Sequence, residues 1–200
     1  MRENEAPIRK AIFIDKDGTL ITDVPYNVNP DLVELEETTI EAIKLMKEEG
    51  FLLIVISNQP GVAKGYFKEE ELVNVWNRIS ALLQKHGLSL DAFYYCPHEP
   101  KGIIEQYAIL CDCRKPLPGL ILKAAAELKI DLSQSWMIGD ILNDVEAGNR
   151  AGCSSVLINN GNETEWVMDK IRTPDFMAKN LLEAASFIKM QRTKEMHYEL

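Results

Sequence analysis

The chain has 200 residues and a formal net charge of −9 at pH 7, a length that suits one α/β domain. Its acidic balance argues against nucleic acids and anionic membranes as partners, because those partners select clustered Lys and Arg, but it leaves a small phosphorylated metabolite possible. No apolar run approaches the roughly 20 residues that span a bilayer, and residues 1–10 lack a signal-peptide core, so we expect a cytoplasmic protein.

The first predicted strand ends at a pair of aspartates. Ile12, Phe13 and Ile14 form an apolar run without polar alternation, which predicts a strand buried on both faces. Asp15 and Asp17 follow at its carboxyl end, the edge where open α/β sheets bind ligands. Two acids on one loop can hold a hard cation while one carboxylate attacks or transfers a proton. A bare Asp-Gly pair is usually only a turn, but the string DKDGT after an apolar strand favours a catalytic site.

The rest of the chain alternates predicted helices with predicted strands. This βαβ pattern predicts an α/β fold with a doubly wound, mostly parallel, Rossmann-like sheet. We expect one domain over residues 1–191 with a small loop inserted at residues 96–117, no large cap domain, and a flexible tail at residues 192–200. The predicted strands cover residues 12–14, 51–59, 91–96, 135–140 and 155–158. The first predicted helix ends at Gly50, and the other predicted helices cover residues 68–85, 117–128, 143–151 and 180–190.

Polar residues also end the second and fourth predicted strands. Ser57 and Asn58 could donate hydrogen bonds to a phosphoryl group, although a simple Ser-Asn turn explains the pair equally well. Asp140 ends the strand SWMIGD, where it could instead cap the next helix. Since parallel strands meet at one edge, Asp15, Asp17 and Asp140 would repel one another unless a cation lay between them. Mg²⁺, which prefers oxygen ligands, is the cation that we predict.

Two pairs of metal-ligand residues in the predicted loop are separated by twelve intervening residues. In a cytoplasmic chain, cysteines act as thiols or metal ligands more often than as disulfides. The pairs supply three thiolates and one imidazole, a closed tetrahedral set that suits structural Zn²⁺. The alternative is four unrelated side chains, which would pair in this way only by chance. The predicted zinc ligands are Cys96, His98, Cys111 and Cys113, and Cys153 stays outside the set.

Arg114 and Lys115 directly follow the last predicted zinc ligand. Lys115 could offset the charge of the phosphate and the carboxylates, and Arg114 could hold a second anionic or hydroxylated part of the substrate. A solvated Arg-Lys pair is the usual alternative. A metal that fixes Cys113 would also fix where these two cations point.

The motifs DKDGTL, SNQPGVAKGYF, CPH…CDCRKPLPG and MIGDILND resemble a family within the haloacid dehalogenase-like (HAD-like) phosphohydrolases. That family is the zinc-containing D-glycero-D-manno-heptose 1,7-bisphosphate phosphatases, which are similar to bacterial histidinol-phosphate phosphatases. The resemblance covers residues 11–161 and implies a HAD fold in which Asp15 is the nucleophile and Asp17 the general acid and base. It also implies that Asp23 and Tyr26 bind sugar and that Asp140 binds the metal, with the later acid of the same motif, Asp144, supporting it. The chain departs from the family where it reads EETTIEAI without the usual Pro-Gly pair, and where Lys64 replaces a common Arg.

We therefore predict a monomeric, Mg²⁺-dependent phosphatase that forms an aspartyl-phosphate and acts on a small phosphorylated metabolite, foremost the heptose bisphosphate. The alternatives are a histidinol-phosphate phosphatase, another small sugar-phosphate phosphatase, and an inactive zinc-stabilised binding module. The intact acids and Lys115 argue against the last. The predicted catalytic residues are Asp15, Asp17, Ser57 and Lys115, the substrate-binding residues Asp23, Tyr26, Asn58, Gln59 and Arg114, and the Mg²⁺ ligands Asp15, Asp17 and Asp140.

Overall fold

A parallel sheet of six strands organises the computed structural model, which describes residues 9–198. The strands lie in the order β3-β2-β1-β4-β5-β6, and each neighbouring pair is parallel. The chain therefore moves from β1 to one side, returns, and continues with β4 on the other side of β1. Ligands bind at such a switch point in open α/β sheets. The strands are β1 (Ala11–Ile14), β2 (Leu52–Asn58), β3 (Ala92–Cys96), β4 (Trp136–Gly139), β5 (Ser154–Ile158) and β6 (Phe176–Ala178).

Helices cover both faces of the sheet, as the unbroken apolar strands predict. Ile12 and Ile14 pack in a core with α1, α2 and α5, whereas Phe13 points to the opposite face and packs in a core with α3 and α4. This alternation along one strand confirms the doubly wound α/β fold. The helices are α1 (Thr39–Glu48), α2 (Leu72–Gln84), α3 (Gly119–Leu128), α4 (Leu142–Ala151) and α5 (Leu181–Tyr198).

The structure corrects the sequence prediction in the last third of the chain. Strand β6 was not predicted, because it has only three residues and its central Met177 is largely exposed. Helix α5 continues to Tyr198, past Arg192, where we predicted the tail to begin. Arg192 Nη1 contacts the Glu49 carboxylate at 3.1 Å, which ties this part of α5 to the end of α1. The last two residues of the predicted tail, and residues 1–8, for which we expected no signal-peptide core, lie outside the described residues.

No helix within residues 9–198 combines the length and the apolar composition that a membrane span requires. The longest of the named helices, α5, has 18 residues. It carries several charged side chains, among them Glu183, Lys189 and Arg192.

Candidate active site

The switch point of the sheet brings together the first residues after β1 and β4. Ile14 pairs with Ile138 in the parallel register, and the backbone N–H of Asp15 donates to the Ile138 carbonyl at 2.9 Å. Asp15 and Asp140 therefore leave the sheet side by side, and both are almost fully buried. The predicted convergence of these two acids is present in the structure.

Lys115 enters this site from residues 96–117, the segment that we call the Cys/His loop. Its buried ammonium group contacts the carboxylate of Asp15, lies 2.6 Å from Asp144 Oδ1 and donates to the Ile56 carbonyl at 3.0 Å. Burial alone would lower the pKa of Lys115, but the charges of Asp144 and Asp15 outweigh it and raise that pKa. Lys115 is therefore a permanent positive charge against the predicted nucleophile.

Three carboxylates share the space next to Lys115. Oxygen atoms of Asp15, Asp140 and Asp144 all lie within 4.8 Å of one another. Burial raises the pKa of Asp15 to about 7, against the attraction of Lys115, and raises the pKa of Asp140 to about 6, with the charge of Asp15 adding to the effect. One ammonium group cannot neutralise three carboxylates, so the site is short of positive charge. Hard carboxylate oxygens in this arrangement fit Mg²⁺.

Asp144 is not in the list of predicted catalytic, substrate-binding or Mg²⁺-binding residues, although the resemblance implies that it supports the metal site. It lies on the first turn of α4, where its Oδ2 accepts from the backbone N–H of Ile141 at 3.2 Å. A Cβ on Gly139 would overlap the Asp144 side chain, so only glycine permits this close approach of α4 to β4. The second acid of the motif GDILND was the available signal for Asp144.

The carboxylate of Asp17 does not belong to the group of three. Its Oδ1 lies 2.7 Å from Lys16 Nζ, and its Oδ2 accepts from Gln59 Nε2 at 3.2 Å. The same Gln59 nitrogen donates to Ser57 Oγ at 2.7 Å. The carboxylate of Asp17, predicted as a Mg²⁺ ligand, thus pairs with Lys16 and Gln59 outside the group of three acids, and the Asp17 side chain is 30% exposed. Gln59, predicted to bind substrate, here links Ser57 to Asp17.

A tyrosine pair and a lysine form a cluster in the segments that flank the site. The Tyr26 hydroxyl accepts from Lys64 Nζ at 2.6 Å, and the Tyr26 and Tyr66 rings meet edge to face with centroids 4.8 Å apart. Both rings are exposed. Burial raises the pKa of Asp23, and the negative charge of the nearby Asp17 raises it further. The predicted sugar-binding residues therefore belong to an exposed surface that a substrate can reach.

The four predicted zinc ligands come together on the Cys/His loop. Their ligating atoms lie within 4.8 Å of one another, and the nearest pairs are 3.0–3.7 Å apart. Sulfur atoms on a tetrahedral Zn²⁺ with bonds of about 2.3 Å would be about 3.8 Å apart, which is close to this spacing. Among the described residues, Cys153 lies outside the group. The set of three sulfur atoms and one imidazole nitrogen fits a closed zinc site.

The residues on either side of Lys115 connect this cysteine cluster to the sheet. The Asn58 amide exchanges two hydrogen bonds with the Lys115 backbone, each 3.0 Å long, so Asn58, predicted to bind substrate, here holds Lys115 in place. Arg114 pairs with Glu99 at 2.9 Å and donates to the His98 carbonyl at 3.4 Å. Arg114 is partly exposed, and its guanidinium already contacts His98 and Glu99 of the Cys/His loop.

Comparisons with known proteins agree with this geometry. A family model described as HAD-hydrolase-like matches residues 112–184. The D-glycero-beta-D-manno-heptose-1,7-bisphosphate 7-phosphatase of Yersinia pestis is 36% identical over 170 residues, covering 80% of this chain and 90% of that protein. The enzymes of the same name from Escherichia coli K12 and Pasteurella multocida are 37% and 41% identical, covering 80% and 77% of this chain and 89% and 84% of their own lengths.

A solved structure is similar over almost the whole chain. It is the D,D-heptose 1,7-bisphosphate phosphatase from B. bronchiseptica, complexed with magnesium and phosphate, with a TM-score of 0.73 and 26% identity. The match covers 91% of this chain and 99% of that one. The fold, together with the buried acids and Lys115 at the switch point, defines a HAD-like phosphatase. Within that class, the chain belongs to the D-glycero-β-D-manno-heptose-1,7-bisphosphate 7-phosphatase family.

Proposed function

We propose that this enzyme removes the 7-phosphate of D-glycero-β-D-manno-heptose 1,7-bisphosphate in a Mg²⁺-dependent reaction. The observation that carries the proposal is the contact between buried Lys115 and Asp15 at the switch point. It occurs in a chain that is 36–41% identical to enzymes with this name. The contact aims a fixed positive charge at the atom that would attack phosphorus, which suits phosphoryl transfer.

In the proposed reaction, a carboxylate oxygen of Asp15 attacks the phosphorus in line, the bond to the C7 oxygen breaks, and an aspartyl-phosphate forms. Asp17, whose side chain is partly exposed beside the site, protonates the leaving oxygen and then takes a proton from the water that hydrolyses the intermediate. Lys115 and Ser57 stabilise the equatorial phosphoryl oxygens. When bound, Mg²⁺ would offset phosphoryl charge and would be held by Asp15 and Asp140, with Asp17 kept as a further proposed ligand.

The remaining parts of the substrate would contact the surface around this centre. We assign the sugar to Asp23 and Tyr26 and the second phosphate to Arg114, which can bind an anion with two parallel hydrogen bonds. Zn²⁺ would be structural and held by the four ligands of the Cys/His loop, because a closed tetrahedral site leaves no position for water. The monomeric state, the single domain and the cytoplasmic location are parts of the same proposal, and light scattering on a sizing column tests the first.

The direct test compares Asp15→Asn with wild type on three substrates. Purified enzyme with Mg²⁺ is assayed for phosphate release from the heptose bisphosphate, histidinol phosphate and p-nitrophenyl phosphate. We expect the heptose bisphosphate to have the highest kcat/KM, and Asp15→Asn to lose about 10³-fold or more of kcat because the nucleophile is gone.

The matched control is Asp31→Asn, which makes the same change at an exposed aspartate and should keep the wild-type rate. An Asp15→Asn variant that keeps a tenth of the activity would refute the nucleophile. A preference for histidinol phosphate would replace the proposed substrate with that alternative. A wild-type protein with no turnover on any of the three would favour the inactive binding module.

A further inference from the structure

A short turn after β5 reaches back to the active site. The Asn160 side chain donates to the Gly18 carbonyl at 2.8 Å, and the Asn162 side chain donates to Asp140 Oδ2 at 2.7 Å. The backbone N–H of Asn162 donates to Asn160 Oδ1 at 3.1 Å, which fixes the two asparagines relative to each other. The turn thus joins the loop that carries the nucleophile to the acid at the end of β4.

Glu163 anchors the far side of the same turn. Its Oε2 accepts from the backbone N–H of Leu142, the first residue of α4, at 2.6 Å. Helix α4 also carries Asp144, the third acid of the site. Residues 160–163 therefore contact both segments that supply the acids, the loop after β1 and the connection from β4 into α4, which makes this turn more than a surface connection.

The contact with Asp140 determines how that carboxylate is oriented. Asp140 Oδ1 accepts from Thr19 Oγ1 at 3.3 Å, and Oδ2 accepts the shorter bond from Asn162. Gly18 lies against both Asp140 and Asn162. Its φ is 75°, and a Cβ added to it would overlap Asp140 Oδ2 and Asn162 Nδ2. The side chain of Asp140 therefore has little freedom to rotate. Hydrogen bonds of this kind orient a metal-binding carboxylate and determine where its remaining lone pairs point.

We propose that Asn162 is a positioning residue of the metal site, whose amide holds the Asp140 carboxylate in the orientation that binds Mg²⁺. The inference rests on the proposed function only in requiring that Asp140 be a Mg²⁺ ligand. A neutral donor suits this position, because it orients the carboxylate without neutralising the charge that attracts the cation. The Asn160 side chain accepts from the backbone N–H of Asn162 and donates to the Gly18 carbonyl, so it holds both groups in place.

The test measures Mg²⁺ binding directly. Calorimetric titration of metal-free wild type, Asn162→Ala and Asn162→Ser with MgCl₂ should show a dissociation constant about 10- to 100-fold higher in both variants, because serine is too short to replace the amide. The Mg²⁺ concentration that gives half-maximal phosphatase rate should rise by a similar factor, and saturating Mg²⁺ should recover most of kcat. The control is Asn77→Ala, an exposed asparagine on α2, which should bind Mg²⁺ as wild type does.

Thermal unfolding separates positioning from a purely structural role. Positioning predicts that the variants lose much of the Mg²⁺-induced rise in the unfolding midpoint while their metal-free midpoint stays near that of wild type. The inference is overturned if the dissociation constant for Mg²⁺ changes less than twofold, or if the metal-free midpoint falls and the Mg²⁺-induced rise is unchanged. A wild-type protein that binds Mg²⁺ but hydrolyses none of the substrates would refute the proposed function and leave this inference standing.

Discussion

The side-chain amide of Asn58 holds the backbone of Lys115 through two hydrogen bonds, each 3.0 Å long. Asn58 ends β2, next to Cys96 in β3, so the sheet fixes the main chain of Lys115 from one side. The cysteine cluster approaches it from the other side through Cys113, two residues earlier. The backbone of Lys115 is therefore fixed, and the contacts of its buried ammonium group with Asp15, Asp144 and the Ile56 carbonyl fix the end of the side chain.

Replacing Lys115 should affect both stability and turnover. Lys115→Ala leaves Asp15 and Asp144 buried without their shared counter-ion, so we expect the free energy of unfolding in EDTA to fall by about 3–5 kcal/mol. It should lower kcat at least 100-fold at saturating Mg²⁺, because the lost charge acts on the transition state. Urea unfolding and phosphate release measure the two effects, with exposed Lys123→Ala as the control. Full rescue by extra Mg²⁺ would show that the role assigned to Lys115 is wrong.

Asn58→Ala should lower activity without removing any charge from the site. The Lys115 backbone would lose both amide contacts, and a displacement of about 1 Å at a positioned group can cost about 100-fold in rate. We expect a lower kcat with a KM for substrate close to that of wild type, because the substrate surface is intact. Steady-state kinetics measure this split. A raised KM with unchanged kcat would instead support the original prediction that Asn58 binds substrate.

The buried acids predict how Mg²⁺ binding depends on pH. Asp15 and Asp140 have pKa values raised from 3.8 to about 7 and about 6, so the folded protein holds protons that the unfolded chain releases. The metal-free protein should therefore lose stability as pH rises from about 4 to about 7. Mg²⁺ needs the ionised acids, so its stabilising effect should be large at pH 8 and small at pH 5. Thermal unfolding in EDTA and in MgCl₂ tests both trends, and an equal Mg²⁺ effect at the two pH values would contradict them.

Zinc should be present in stoichiometric amount and should affect activity only by fixing the segment that carries Arg114 and Lys115. Elemental analysis of protein purified without chelators should give about one Zn²⁺ per chain. Cys111→Ser should reduce bound zinc and, by loosening the segment that carries Arg114 and Lys115, should impair both kcat and KM, with no rescue by Mg²⁺. Cys153→Ala, outside the cluster, should keep its zinc. A metal-free protein with full activity would eliminate the site.

Glu99 should tune the preference between substrates with one phosphate and with two. It pairs with Arg114 at 2.9 Å, so a second phosphate bound to Arg114, as proposed, would compete with Glu99 for the guanidinium. Glu99→Gln should lower KM for the heptose bisphosphate several-fold and leave KM for a heptose 7-monophosphate nearly unchanged. Glu105→Gln, an exposed glutamate on the same loop, is the control. An equal change for both substrates would mean that Glu99 only holds the loop in place.

The sequence predicted those features that depend on short segments. The apolar runs before Asp15 and Asp140 placed both acids, because parallel strands end at one edge, and the C-x-H and C-x-C spacing placed the cysteine cluster. Strand β6 was missed because its identity depends on pairing with β5 and not on its own residues. Asn162 was missed for a similar reason, since its partner Asp140 is 22 residues away and nothing in the sequence pairs them.

The Cys/His loop leaves the sheet from β3, which lies at the edge of the strand order. Residues 99–110 of this loop, which exclude Lys115 and the four predicted zinc ligands, can change in number or kind without shifting the register of any interior strand. Evolution can therefore vary the surface that surrounds the substrate while Asp15 and Asp140 keep their places at the centre of the sheet. The same separation offers a route to redesign: exchanging residues 99–110, between the two halves of the cysteine cluster, should alter substrate choice and leave the chemical step to the acids at the centre of the sheet.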